Sequence, residues 1–250
     1  YLEHLNIILG SYRRISNDGK CIRLNERISN HLLKNSLKQS NYHAILLPYV
    51  NMRWSADQAA ILYSLWLYDK NTDSDISSEL ISKWINYMDN KATHKKTGLY
   101  ICEVLGKRRY SKQPRGCAQS YMVHYMSRFA PDKARKQWDL YKKYMMANKL
   151  GRIAFREFLP DYKGAWSPDS GPIIAGYGVA ATGLGLNAAS SIGDWDTYKG
   201  LTKMMNPFGK LFQTTESVIG NNLLTRIGTD LLSSSIWLNA ETKMNWFENN

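Results

Sequence analysis

The chain has 250 residues, 44% hydrophobic and 12% aromatic, so it can bury a sizeable core and is too apolar to be a disordered polymer. Three cysteines exclude a disulfide scaffold and leave at least one free thiol. The net charge of +12 is unevenly placed: residues 1–150 hold 25 Lys/Arg against 12 Asp/Glu, about +13, and residues 151–250 hold 8 against 9, about −1.

Apolar residues recur at three- and four-residue intervals almost throughout, which predicts an all-α chain. In order, the pattern predicts helices over residues 1–14, 20–38, 56–69, 77–91, 116–130, 132–148, 171–192, 195–205 and 222–240, with a short last one over 241–248. The best strand candidate is Leu99–Val104. Helices 56–69 and 77–91 are joined by the polar turn Asp69–Ile76, and Pro131 opens the partner of helix 116–130 at its first turn. Gly193-Asp194 reads as a C-terminal glycine followed by an N-cap. These are helical hairpins with tight turns.

The other links, over 39–55, 92–115, 149–170 and 206–221, are long, and long links carry function more often than short ones. Alternating short and long connections gather the long ones at one end of the molecule. The inner helices start near residues 56, 116, 171 and 222, a spacing that fits helical hairpins arrayed as a solenoid or a closed ring. Residues 170–193 carry no charge and are long enough to span a bilayer. Their Gly, Ser and Asn content reads instead as a helix buried on every side, which favours closure into an α/α-barrel. Gly176, Gly178 and Gly183 are then packing glycines inside that helix and not a phosphate cradle. Five hairpins are visible where a full toroid has six, all within a single domain over residues 1–250.

The run Ser167-Pro168-Asp169-Ser170-Gly171-Pro172-Ile173-Ile174 precedes a small-residue helix that ends in Ile192-Gly193-Asp194. With Arg53-Trp54-Ser55-Ala56-Asp57 and Thr97-Gly98-Leu99-Tyr100, it resembles the α/α-barrel proteins grouped around linalool dehydratase/isomerase, which include many uncharacterised bacterial relatives. The resemblance covers about residues 50–195. It implies an (α/α)6 barrel with a pocket at one end, acting without a metal or other cofactor. The dehydratase's catalytic cysteines and histidine do not align residue by residue, so their roles are not carried over.

Closure of the ring would bring the heads of the inner helices to one mouth: Trp54 and Asp57, Cys117 and Gln119, Asp169 and Ser170, Asn221 and Asn222. Helix N-termini there offer unpaired N–H groups and partial positive charge. Asp169 reads either as an N-cap before Pro172 or as a general base, and Asp57 divides the same way. Two carboxylates across such a mouth suit acid–base work on a sugar, with Glu103 and Glu157 as further partners. Glu157 lies among Phe155, Phe158 and Trp166, where apolar surroundings would raise its pKa toward that of an acid catalyst. Cys117 is the other reactive group, since Arg115 and a helix N-terminus both favour its thiolate. His124, two turns along the same helix and about 10 Å away by helical rise, is a doubtful base for it. Tyr49, Trp54, Tyr100, Trp166 and Tyr177 are the aromatic candidates for binding substrate. The five histidines show no paired spacing and no Cys-x-x-Cys occurs, so no metal site is expected.

The expected function is cofactor-independent acid–base chemistry (hydrolysis, elimination, or dehydration and isomerisation) on a hydroxylated substrate such as a carbohydrate or terpenoid alcohol. That would make the chain a lyase, an isomerase or a hydrolase. The alternative is a non-catalytic helical module that binds an anionic partner through its basic first part. Nucleic acid is not the expected partner, because the basic residues, among them Arg135, Lys136, Lys142 and Lys143, are scattered along helices without a recognition motif. The sequence does not begin with Met and reads as a trimmed chain. A removed leader, with a periplasmic or other extracytoplasmic location or a membrane-associated segment, is compatible with it.

Overall fold

The computed structural model describes residues 1–16, 18–44, 53–105, 112–165, 167–214, 235–236 and 238–240. These residues are predominantly helical, with short antiparallel strands only. The helices are α1 (Leu2–Ile15), α2 (Ile22–Leu37), α3 (Ser55–Thr72), α4 (Ser78–Lys91), α5 (Gly116–Phe129), α6 (Pro131–Met145), α7 (Val179–Ile192) and α8 (Trp195–Thr214). Six strands form three two-stranded ribbons: β1 (Arg53–Trp54) with β2 (Glu103–Leu105), β3 (Met146–Lys149) with β4 (Arg152–Phe155), and β5 (Ile173–Ile174) with β6 (Tyr177–Gly178). The chain divides into two compact units, Tyr1–Pro114 with Tyr125–Gln137, and Arg115–His124 with Trp138–Asn250.

The first unit is built on α1 to α4. Gly10 of α1 meets Leu67 of α3 so closely that a β-carbon there would lie 2.9 Å from the leucine side chain. Asn6, wholly buried, donates to Ser29 and Ser64 at 3.0 and 3.1 Å and accepts from Asn25 at 2.8 Å, which ties α1 to α2 and α3 through a buried polar cluster. The α3–α4 turn closes on Asp69, whose carboxylate accepts from Ser74 Oγ and from the amides of Ile76 and Ser77 at 2.8–2.9 Å. The link after α4 folds back with a Thr93–Tyr100 bridge, and the Ser55 amide at the head of α3 bonds to the carbonyl of Cys102. Only the end of the Leu99–Val104 candidate becomes strand, as β2.

The second unit contains the start of α5, most of α6, the β3–β4 and β5–β6 hairpins, α7 and α8. Its core stacks Tyr141 on Phe155 at 4.2 Å between ring centres, with Trp138 beside them at 5.4 Å from Phe155. Asp194 caps α8 through the amide of Thr197 and also accepts from Trp138 Nε1 at 2.8 Å and Lys142 Nζ at 2.6 Å.

Two predicted helices are shorter than their patterns suggest. The helix predicted over 132–148 stops at Met145, because Leu150 and Gly151 take positive φ (53° and 73°) and fold 146–155 into a hairpin. The helix predicted over 171–192 starts only at Val179. Ala175 and Gly176, at φ 51° and 86°, form a two-residue turn between β5 and β6, so Gly176 and Gly178 are hairpin residues and not helix packing. In the other direction, α8 runs on to Thr214 through part of the link expected at 206–221. Of the helices predicted over 222–248, only residues 235, 236 and 238–240 fall among those described, and these are helical. Among the described residues no helix is long and apolar enough to cross a membrane.

Candidate functional site

The site grows from a glycine. A β-carbon on Gly116, the first residue of α5, would lie 2.1 Å from the carbonyl oxygen of Arg156, so only glycine lets residues 156–157 run against the helix start. The Gly116 amide bonds to the carbonyl of Glu157 at 2.9 Å, and the Glu157 amide bonds to the carbonyl of Gly176 at 3.1 Å. Glu157 is thereby wedged between the N-terminus of α5 and the β5–β6 turn. Gly178 closes the other side, where a β-carbon would sit 2.7 Å from Glu157 Oε2.

The carboxylate of Glu157 has no exposed surface and accepts three hydrogen bonds, all from the head of α5. Its Oε1 accepts from Arg115 Nε at 2.9 Å and from the Cys117 thiol at 3.1 Å, and its Oε2 accepts from the Cys117 amide at 3.1 Å. Burial pushes the Glu157 carboxyl above its ordinary range, against the opposing pull of the Arg115 charge and of the Cys117 and Arg115 hydrogen bonds. The helix N-terminus and Arg115 favour a thiolate at Cys117, whereas the neighbouring carboxylate opposes one.

Arg115 is held on three sides. Besides Glu157 it donates through Nη2 to Ser167 Oγ at 2.8 Å, and its guanidinium lies over the Phe158 ring, 5.4 Å from the centre. Beneath the helix start, wholly buried Tyr141 donates to the Gly116 carbonyl at 3.0 Å and accepts from Ser120 at 3.2 Å. Burial raises its phenol well above the ordinary value, so it stays neutral and fixes the first turn.

Of the residues singled out in the sequence, Cys117 and Glu157 meet here. Asp169 belongs to the same unit but is exposed, in a 3-10 turn over Pro168–Ser170. Its reading as the cap of the following helix does not hold, because α7 starts ten residues later, at Val179. Tyr177, half-buried in β6, places its ring 4.9 Å from the Arg156 guanidinium. Asp57 and Trp54 belong to the first unit, half-buried in the first turn of α3 and in β1. Tyr100 is in that unit too, almost fully buried, with its hydroxyl donating to Asp89 at 2.7 Å. Glu103 is buried in β2 of the same unit. Tyr49, Trp166, Asn221 and Asn222 lie outside the described residues. His124 bonds through Nδ1 to Ser191 Oγ at 2.8 Å.

Gly116, Gly178, Tyr141 and Ser167 were not singled out as parts of a site. Only Ser167 left a local signal, a Ser-x-x-Ser spacing with Ser170 that suits a hydroxyl-closed turn. No group of three or more His, Cys, Asp or Glu able to hold a metal occurs among the described residues. Compared with family models and with curated proteins, the chain matches none.

Proposed function

We propose that the chain is a cofactor-independent acid–base enzyme acting on a hydroxylated substrate, with its active site built on Cys117 and Glu157. The observation that carries this reading is the 3.1 Å bond from the Cys117 thiol to a carboxylate buried by its own fold. Buried, perturbed carboxyls beside a reactive group are characteristic of proton-transfer sites. Cys117 is 7% exposed and Glu157 not at all, so the cysteine is the group that meets the substrate and the carboxyl acts through it.

Elimination or isomerisation of an alcohol fits these groups best. The thiol gives its proton to the departing hydroxyl, the C–O bond breaks with its electron pair on the oxygen, and water leaves. The thiolate, stabilised by the helix N-terminus and Arg115, then takes a proton from the neighbouring carbon, leaving an alkene and a restored thiol. Glu157 holds Cys117 through both oxygens, Oε1 accepting from the thiol and Oε2 from the amide, and buffers the thiol proton. This chemistry agrees with the resemblance to the linalool dehydratase/isomerase group. We infer the matching architecture as well, helical hairpins closed into an α/α-barrel. Glycoside hydrolysis would need a second carboxylate, and Asp169 is the candidate in the same unit.

The test is turnover. Wild-type protein, Cys117→Ala and Glu157→Gln are incubated with allylic terpenoid alcohols and with aryl glycosides, and the products are separated by gas chromatography or followed by absorbance. Loss of water or isomerisation is expected in the wild type, abolished in Cys117→Ala and reduced about a hundredfold or more in Glu157→Gln. Turnover that survives Cys117→Ala at the wild-type rate contradicts the reading.

A further inference from the structure

We propose that Ser167 is a substrate-binding residue that donates a hydrogen bond to the oxygen protonated by Cys117, which selects for a hydroxyl or ether oxygen at that point. The inference rests on the acid–base reading of Cys117 and Glu157 and adds the group that recognises the substrate.

Ser167 Oγ accepts from Arg115 Nη2 at 2.8 Å, so one lone pair is engaged and the hydroxyl's own hydrogen points elsewhere. Among the described residues no acceptor takes that hydrogen, and Ser167 is half-buried. A hydroxyl that accepts from a guanidinium is polarised into a stronger donor. The oxygen is also held in place. Ser170, wholly buried, accepts from the Ser167 amide at 3.1 Å, and its hydroxyl reaches the carbonyls of Ser167 and Gly171 at 2.9 and 3.0 Å. The Ser170 amide returns a bond to the Ser167 carbonyl at 3.1 Å. The guanidinium that holds Ser167 also holds the carboxylate that accepts from the thiol, so donor and thiol are referred to one rigid group. A site that hydrogen-bonds a substrate oxygen rejects an analogue lacking it far more strongly than an apolar pocket discriminates by size.

The experiment is protection of Cys117 from alkylation by iodoacetamide, followed by mass spectrometry of the peptide that bears it. The probes are geraniol, an allylic alcohol, and myrcene, a hydrocarbon of the same carbon count. Geraniol is expected to protect the wild type and myrcene to protect at least tenfold less well. Ser167→Ala should weaken geraniol protection about tenfold and leave myrcene unaffected, and Ser167→Thr, which keeps the hydroxyl, should restore it. Absence of geraniol protection in the wild type overturns the inference, as does equal protection of wild type and Ser167→Ala. A wild-type alkylation profile with no trace of Glu157 instead sinks the underlying acid–base reading, whatever the probes do.

Discussion

Cys117 binds both oxygens of one carboxylate, its thiol donating to Oε1 of Glu157 and its amide to Oε2, each at 3.1 Å. The amide bond fixes the carboxylate against the first turn of α5, and the thiol bond is the one that can give up a proton. Arg115 supplies the compensating charge from the residue before the helix. Three hydrogen bonds from two residues within one turn of chain thus make a buried carboxyl tolerable.

That tolerance is conditional. Glu157→Gln removes the negative charge and leaves the Arg115 guanidinium, with 8% of its side chain exposed, without a counter-charge. We expect a loss of about 3 kcal/mol in urea unfolding. The double variant Arg115→Met/Glu157→Gln should recover part of it, and a double variant less stable than the single one would show that the pair is not the source.

The same carboxyl predicts a pH dependence. Its pKa in the folded chain is raised, chiefly by burial, above the ordinary 4.5, so the folded state binds the proton more tightly. Its contribution is therefore fully present below about pH 4.5 and is lost as pH rises through the folded value. Stability of the wild type relative to Glu157→Gln should fall over that window and then level. Asp194 shows the opposite sign. Burial raises its carboxyl, but the bonds from Lys142, Trp138 and Thr197 outweigh burial and hold it well below 3.8. Its contribution is present above about pH 3.8 and lost on further acidification, so wild type and Asp194→Asn should converge in stability at low pH.

Gly116→Ala should be the most damaging of the glycine substitutions near the site. Its β-carbon would meet the Arg156 carbonyl at 2.1 Å and the Ala181 side chain at 2.8 Å, and backbone cannot yield as a flexible side chain can. A cost of about 3 kcal/mol is expected, with faster alkylation of Cys117 as residues 156–157 are pushed away. Gly193→Ala is the control. It has φ 75° but nothing within 4 Å of the added carbon, and should cost about 1 kcal/mol from backbone strain alone. Thermal melts of the two variants check the order.

In the first unit, Asn6→Ala should cost about 2–4 kcal/mol in urea unfolding, because it strips partners from buried Ser29, Ser64 and Asn25 together. A loss under 1 kcal/mol would mean that water replaces the amide.

The helices α3 and α4 were legible from apolar spacing and the Asp69 turn, because packing there follows local pattern. The start of α7 was not. Its small uncharged residues satisfy a helical pattern from 171 onward, and only the left-handed Ala175-Gly176 pair, an uncommon conformation for alanine, diverts them into a hairpin. Cys117 and Glu157 were each legible as candidates in the sequence, and the upward direction of the Glu157 pKa followed from its expected burial. Their pairing was not, since forty residues separate them and it depends on Gly116 admitting the 156–157 backbone. Tyr100, singled out by motif, donates its hydroxyl to Asp89 within the first unit.

The most direct test of the account is the pH dependence of Cys117 alkylation in the wild type and in Glu157→Gln, with the modified peptide counted by mass spectrometry. A thiol and a carboxyl in direct contact titrate as a coupled pair. The account predicts two inflections in the wild type, one of them lost in Glu157→Gln. A single inflection at the same pH in both proteins would contradict it.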